Sequence, residues 1–186
     1  MPVQPSIENH LLTYAKWCPS PNYNNRPDKA SVSLLVIHNI SLPPRQFGGE
    51  YIESFFQNRL PVEDHPYFTE IADLQVSAHL LIKRSGDVVQ FVSFDKRAWH
   101  AGVSCFESEA NCNDFSIGIE LEGCDDLPYT SDQYKTLVQV TRSLMQHYPL
   151  ITPARIVGHD QIAPGRKTDP GASFDWKHYL GCLTDE

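Results

Sequence analysis

The chain has 186 residues, and its 15 basic against 23 acidic side chains leave a net charge of −8 with histidine neutral. Hydrophobic residues make up 41% and charged residues 20%, ordinary globular usage that excludes a disordered chain or a fibrous repeat. With no basic run to offset its acidity, the chain is not expected to bind nucleic acid or an anionic membrane, and its apolar runs fall far short of the roughly 20 residues that span a bilayer.

Residues 1–12 carry no basic segment followed by an apolar one, so no secretory signal is expected, and the expected location is the cytosol. Cys18, Cys105, Cys112, Cys124 and Cys182 are irregularly spaced, without a Cys-x-x-Cys pair, and are read as unpaired thiols in a reducing compartment. The prolines are scattered and no repeat or linker appears, which predicts one domain over 1–186. Residues 1–30 would be a loop-rich lead-in and 31–180 the core.

Residues 19–29 (PSPNYNNRPDK) are turn formers throughout and predict a loop. The apolar run SLLVIH at 33–38 predicts a strand covered on both faces and closed by His38. After Gly48-Gly49, a short amphipathic stretch with Ile52, Phe55 and Phe56 on one side predicts a helix that ends before Pro61. Residues 76–83 and 88–93 flank Arg84-Ser85-Gly86-Asp87 and predict a hairpin.

SIGIELE at 116–122 alternates, with Ile117, Ile119 and Leu121 facing one way and Gly118, Glu120 and Glu122 the other. The recurrence of Tyr134, Leu137, Val138, Thr141, Leu144, Met145 and Tyr148 predicts the main helix, with Thr130 or Ser131 as N-cap, Pro149 as its end and the apolar stripe as core. A last short strand is expected over 155–158, followed by a long loop over 160–173. The fold class is α/β, of the mixed α+β kind, with a central mixed sheet flanked by helices.

The chain contains no His-Glu-x-x-His helix, phosphate-binding glycine loop or Gly-x-Ser-x-Gly elbow, so any active site must be assembled from distant segments. His38 and His159 sit at strand ends, and each alone reads most simply as a structural histidine. Glu120 alone reads as a solvated strand residue, since one sheet face is often wet. Lys167-Thr168-Asp169, with Pro170 extending the backbone at Asp169, places an ammonium and a carboxylate on the same side; the plain alternative is a surface ion pair. Taken together, two neutral imidazoles and one carboxylate make a three-ligand zinc site with an open position. Glu120 and Lys167 would then supply a base and an oxyanion partner.

Several blocks extend this reading. They are LLVIHNISLPP (34–44) with FGG after it, HPYF (65–68), VSAH (76–79), FDKRAWHAGVS (94–104), CNDFSIGIELEG (112–123), GH (158–159), and RKTDPG and SFDW on either side of Ala172. With these the chain resembles the AmpD-type 1,6-anhydro-N-acetylmuramyl-L-alanine amidases. These zinc amidases are related to phage amidase-type lysozymes and peptidoglycan recognition proteins. The resemblance implies one zinc ion on His38, His159 and Asp169, a catalytic carboxylate at Glu120 and an oxyanion-stabilising Lys167. It further implies substrate contacts from Asn39, His79, Ala98 and Trp99.

The implied reaction is hydrolysis of the amide between the lactyl group of an anhydro-muramic acid and L-Ala of a muropeptide, in cytosolic cell-wall recycling by a monomer. The alternatives are a non-catalytic muropeptide-binding module, a murein amidase acting outside the cytosol and a structural zinc protein. Two positions depart from the pattern: Gln75 and Asn111 stand where relatives carry arginines that hold the substrate.

Overall fold

The protein is described by a computed structural model over residues 5–184; the first four positions of the expected lead-in and the last two of the chain lie outside the described residues. The lead-in is more than loop. Strands β1 (Ile7–Glu8) and β2 (Leu11–Leu12) form a hairpin turned by Asn9 and His10, both at positive φ. β3 (Lys16–Trp17) reaches an edge of the main sheet, and β4 (Tyr23–Asn25) pairs antiparallel with Lys96–Ala98. Residues 19–29 therefore contain a strand where a continuous loop was expected. All three β4 side chains are exposed, so no apolar alternation marks it in the sequence.

β5 (Leu34–Ile40) buries its first five side chains and runs two residues beyond the expected end, so His38 lies within the strand. Helix α1 (Tyr51–Phe56) turns Ile52, Phe55 and Phe56 inward as the pattern predicts. Helix α2 (Pro66–Ile71) was not anticipated; His65 Nδ1 accepts from the Tyr67 amide to cap it, and Pro66 suits its first turn. The predicted hairpin consists of β6 (Leu80–Ile82) and β7 (Val88–Gln90), antiparallel, with Gly86 at φ +86 in the turn. Next come β8 (Lys96–Ala98) and a small hairpin of β9 (Cys105–Phe106) and β10 (Glu109–Ala110).

β11 (Ser116–Glu122) follows, then α3 (Ser131–His147), whose Thr130 and Gln133 make a reciprocal capping box. β12 (Ile156–Gly158) leads directly into the single turn of α4 (His159–Ile162), so the expected loop begins as helix. The Gln161 side chain, accepting from the Gly158 amide at 2.7 Å, closes that turn locally. α5 (Trp176–Thr184) ends the described chain.

The main sheet has strand order β12-β5-β11-β6-β7-β3, parallel except for the β6–β7 pair. One face packs Leu35, Ile37, Ile117 and Ile119 under Leu137, Val140 and Leu144 of α3, with Tyr179 of α5 completely buried in the same layer. The other face is covered in two patches. Phe55, Phe56, Phe68 and Phe91 gather with Leu81 and Val89, while Leu34 and Val36 pack with Ala101, Cys112, Phe115 and Ile162.

β11, central in the sheet, is therefore buried at all seven positions, and the face expected to be wet is covered. The five cysteines are free thiols, as expected. No helix among the described residues is long and apolar enough to cross a membrane.

Candidate metal centre

Parallel pairing in register sets His38 on β5 opposite Glu120 on β11, so both side chains leave the same face of the sheet. On the other flank of β5, Gly158 pairs with Ile37, and the next residue, His159, opens α4 beside His38. The tight fit favours Gly158 here: a Cβ would lie 2.2 Å from Asp160 Oδ1 and 2.9 Å from Pro170 Cδ, so one or both neighbours would have to shift. The third element returns through hydrogen bonds. The Asp160 amide donates to the Asp169 carbonyl at 3.0 Å, and Asn39 Nδ2 and Tyr129 Oη both donate to the Pro170 carbonyl, at 3.1 and 2.7 Å.

These contacts bring His38 Nδ1, His159 Nδ1 and Asp169 Oδ2 into a triangle with sides of 3.0, 3.0 and 3.1 Å. Among the described residues, these three form the metal-competent group, and their sides are short enough for one ion at about 2.0–2.2 Å to touch every corner. Proton placement points the same way. His159 Nε2 faces the Ala101 carbonyl at 3.1 Å, which can only accept, so the ring proton sits on Nε2 and Nδ1 keeps its lone pair. At most one proton, on His38 Nδ1, can then lie among three centres that otherwise turn lone pairs toward each other. A shared cation removes that conflict.

The charge states suit a cation. Burial pulls the His38 imidazole down to about 4, so it is neutral near pH 7. Burial works against the Asp169 carboxylate, but its close neighbours His159 and His38 outweigh it and hold the acid well below its usual range. Glu120 is pushed well above its ordinary value, by burial first and then by the Asp169 charge, with the Lys167 cation opposing. Its Oε2 is buried without a hydrogen-bond partner, an uncommon state that leaves a proton-accepting oxygen ready for a ligand or water.

A cleft of about 370 Å³ opens over the group, with Glu120, Lys167 and Asp169 on its polar side and Phe55, Phe56, Ile71 and Leu74 on its apolar side. Lys167 and Asp169 thus share one site, as their spacing suggested. Asn39 and Trp99 also line it. Trp99 is half-buried and held by its indole N–H, which donates to Asn24 Oδ1 on β4 at 2.8 Å.

His79 and Ala98, expected to touch substrate, are fully buried and are not in the cleft wall. His79 Nδ1 accepts from the Gly118 amide while its Nε2–H donates to the Lys96 carbonyl, so both ring nitrogens are used structurally. Its imidazole is held down to about 3, by burial and then by the Arg26 charge. Gln75 is exposed between Leu74 and Val76 of the cleft wall, whereas Asn111 sits just past β10, outside it. The sequence reading also missed the apolar wall. Its residues come from α1, α2 and the segment leading to β6, and their sequence pattern is that of ordinary core.

Residues 28–172 match the family model described as N-acetylmuramoyl-L-alanine amidase. The chain is 54% identical over 177 residues to the 1,6-anhydro-N-acetylmuramyl-L-alanine amidase AmpD of Haemophilus influenzae, covering 95% of this chain and 96% of that protein. The AmpD of Escherichia coli is likewise 54% identical, over 180 residues and 97% and 98% of the two chains. A crystal structure of a Se-Met AmpD derivative superposes with a TM-score of 0.93 at 53% identity, covering 96% of this chain and 99% of that one. The chain belongs to the N-acetylmuramoyl-L-alanine amidase family.

Proposed function

We propose that this chain is a zinc-dependent amidase, built as one catalytic domain, that hydrolyses the lactyl-amide bond between 1,6-anhydro-N-acetylmuramic acid and L-Ala of a muropeptide in cytosolic cell-wall recycling. The observation that carries this reading is the triangle of two imidazole nitrogens and one carboxylate oxygen beside a buried, unpartnered glutamate oxygen at the floor of a cleft. The printed names of relatives matched over nearly their whole length supply the substrate class.

His38, His159 and Asp169 would hold the ion. When bound, zinc supplies Lewis acidity that polarises a carbonyl and lowers the pKa of water from about 15.7 to about 7. Glu120, raised in proton affinity by its burial, accepts the proton of the attacking water and hands it to the leaving amine nitrogen of L-Ala. General acid–base transfer of this kind contributes about 10²- to 10⁴-fold. Lys167 projects from the loop that carries Asp169 and donates to the amide oxygen as negative charge grows on it. Trp99, its edge fixed by Asn24, offers a flat face on which a sugar ring can rest, and Asn39 places a polar group beside the metal ligands.

The test is incubation with a purified anhydro-muropeptide and, separately, with intact murein, each with and without a chelator. The expected result is release of a peptide with a free L-Ala amino group from the small substrate, lost on chelation and restored by zinc. Binding of the muropeptide without release would make the chain a recognition module instead.

A further inference from the structure

His38 and His159 each turn one ring nitrogen toward the proposed ion and the other toward the same short stretch of chain, His100–Ala101, one meeting a side chain and the other the backbone. His38 Nε2 lies 2.9 Å from His100 Nδ1, and His159 Nε2–H donates to the Ala101 carbonyl at 3.1 Å. His100 passes the contact on, with its own Nε2 3.0 Å from Ser116 Oγ. Asn113 fixes the stretch from behind, its Oδ1 accepting from the backbone amides of both His100 and Ala101 at 3.1 and 2.8 Å, and Arg166 Nη2 donates to the Ala101 carbonyl at 2.6 Å.

Alternate residues on one face of β11 make this possible. Ser116 supplies the hydroxyl that receives His100, Glu120 faces the cleft, and Gly118 between them leaves the space the imidazole fills. A Cβ at Gly118 would stand 2.5 Å from His100 Cγ and 2.6 Å from its Nδ1. His100 and Asn113 are both buried, and neither belongs to the ligand triangle.

We propose that His100 and Ala101, seated by Gly118 and pinned by Asn113, form a single clamp that orients both ligand imidazoles, so that His100 and Asn113 are positioning residues for the metal site. This rests on the metal reading above. When His38 Nδ1 faces the ion, its Nε2 carries the ring proton and donates to His100 Nδ1; His100 then holds its own proton on Nε2 and donates to Ser116. One tautomer is imposed along the whole line. Partners outside the ligand set that fix ring orientation commonly contribute 10- to 100-fold in metal affinity, roughly, when removed one at a time.

The test measures zinc affinity by competition with a chromophoric chelator for the wild type, His100→Leu, His100→Asn and Asn113→Ala, alongside the Tm of each zinc-free protein. His100→Leu and Asn113→Ala are expected to weaken zinc by about 10- to 100-fold. His100→Asn, whose side-chain oxygen can accept near the position of Nδ1, should recover most of the loss. A purely structural role would lower the Tm of the zinc-free variants and leave the affinity of the folded fraction unchanged, which would overturn the clamp. Equal affinities for the Leu and Asn variants would also overturn it.

Should the variants fail to fold, histidine-ring ¹⁵N spectra of the zinc-loaded wild type decide the matter. His38, His100 and His159 must all appear as Nε2–H tautomers, and His100 protonated on Nδ1 would sink the proposal. Wild-type protein that takes up no zinc would overturn the metal reading and the clamp together, an outcome distinct from either of these.

Discussion

Glu120 is a position where burial works against the charged form of the side chain. A carboxylate with an oxygen buried and unpartnered costs the fold about 1–3 kcal/mol or more, which the Lys167 cation offsets only in part. Glu120→Gln keeps the shape and removes the charge. It is expected to retain one zinc per chain, to lose at least about 10²-fold in kcat and to raise the Tm of the zinc-free protein by roughly 2–4 °C per kcal/mol recovered. Near-normal turnover would remove Glu120 from the chemistry.

Lys167→Ala, which leaves the triangle intact, is expected to lose about 10²- to 10³-fold in kcat with zinc content unchanged. At Gln75 the expectation concerns binding. The residue is exposed and flanked by two residues of the cleft wall, so Gln75→Arg can reach a peptide carboxylate and add a charge-assisted hydrogen bond of about 1.5–3 kcal/mol. KM should fall while kcat barely moves; an unchanged KM would mean that other groups already hold the carboxylate. Asn111→Arg, placed outside the cleft, serves as the control that leaves KM where it was.

At the scale of elements, helix α3 is tied through its cap to the β6–β7 hairpin and the end of β11. Thr130 Oγ1 accepts from the Gln133 amide and donates to the Arg84 carbonyl, at 3.1 and 2.8 Å. Gln133, fully buried, donates through Nε2 to the carbonyls of Ile82 and Glu122 at 3.2 and 2.9 Å. Thr130→Ala should cost about 1 kcal/mol, the usual price of a lost cap. Gln133→Ala should cost more, about 2–4 kcal/mol, because two buried carbonyls lose their donor. Urea unfolding separates the two, and equal effects would show that the carbonyls find other donors.

This helix was legible in the sequence because seven apolar or small positions repeat at helical spacing between a capping residue and a proline. The β6–β7 hairpin was legible because a glycine turn divides two apolar segments. β3 and β4 were not, since a strand of two or three residues is made by backbone pairing with a distant partner and leaves no periodic trace of its own. α2 was hidden for a related reason: six residues with two buried side chains are too few for a period to emerge. At the site, His38, Glu120 and His159 stood out as polar residues on apolar strands. His100 did not, because its role depends on a glycine 18 positions later in the chain leaving space for its ring.

Across the whole molecule, the proposed ligands come from the second strand of the sheet, the start of α4 and the loop beyond it, and His38 and Asp169 are 131 positions apart in the chain. In the unfolded chain that arrangement does not exist, so an ion that binds the folded state alone stabilises it by mass action, by about 2.7 kcal/mol at 100 times Kd and about 4.1 kcal/mol at 1,000 times Kd. For a domain of this size, 4.1 kcal/mol corresponds to a rise in Tm of roughly 8–16 °C. Zinc titrated into chelator-stripped protein should therefore raise Tm by an amount that keeps growing with the logarithm of free zinc after the site is full. A simple increase that stops at one equivalent would not fit linkage. Asp169→Ala should abolish the dependence, because it removes one corner of the triangle and with it the negative charge that favours a dication. A variant that still gained stability with zinc would mean that the ion binds elsewhere, and the three segments would then need a different reason to converge.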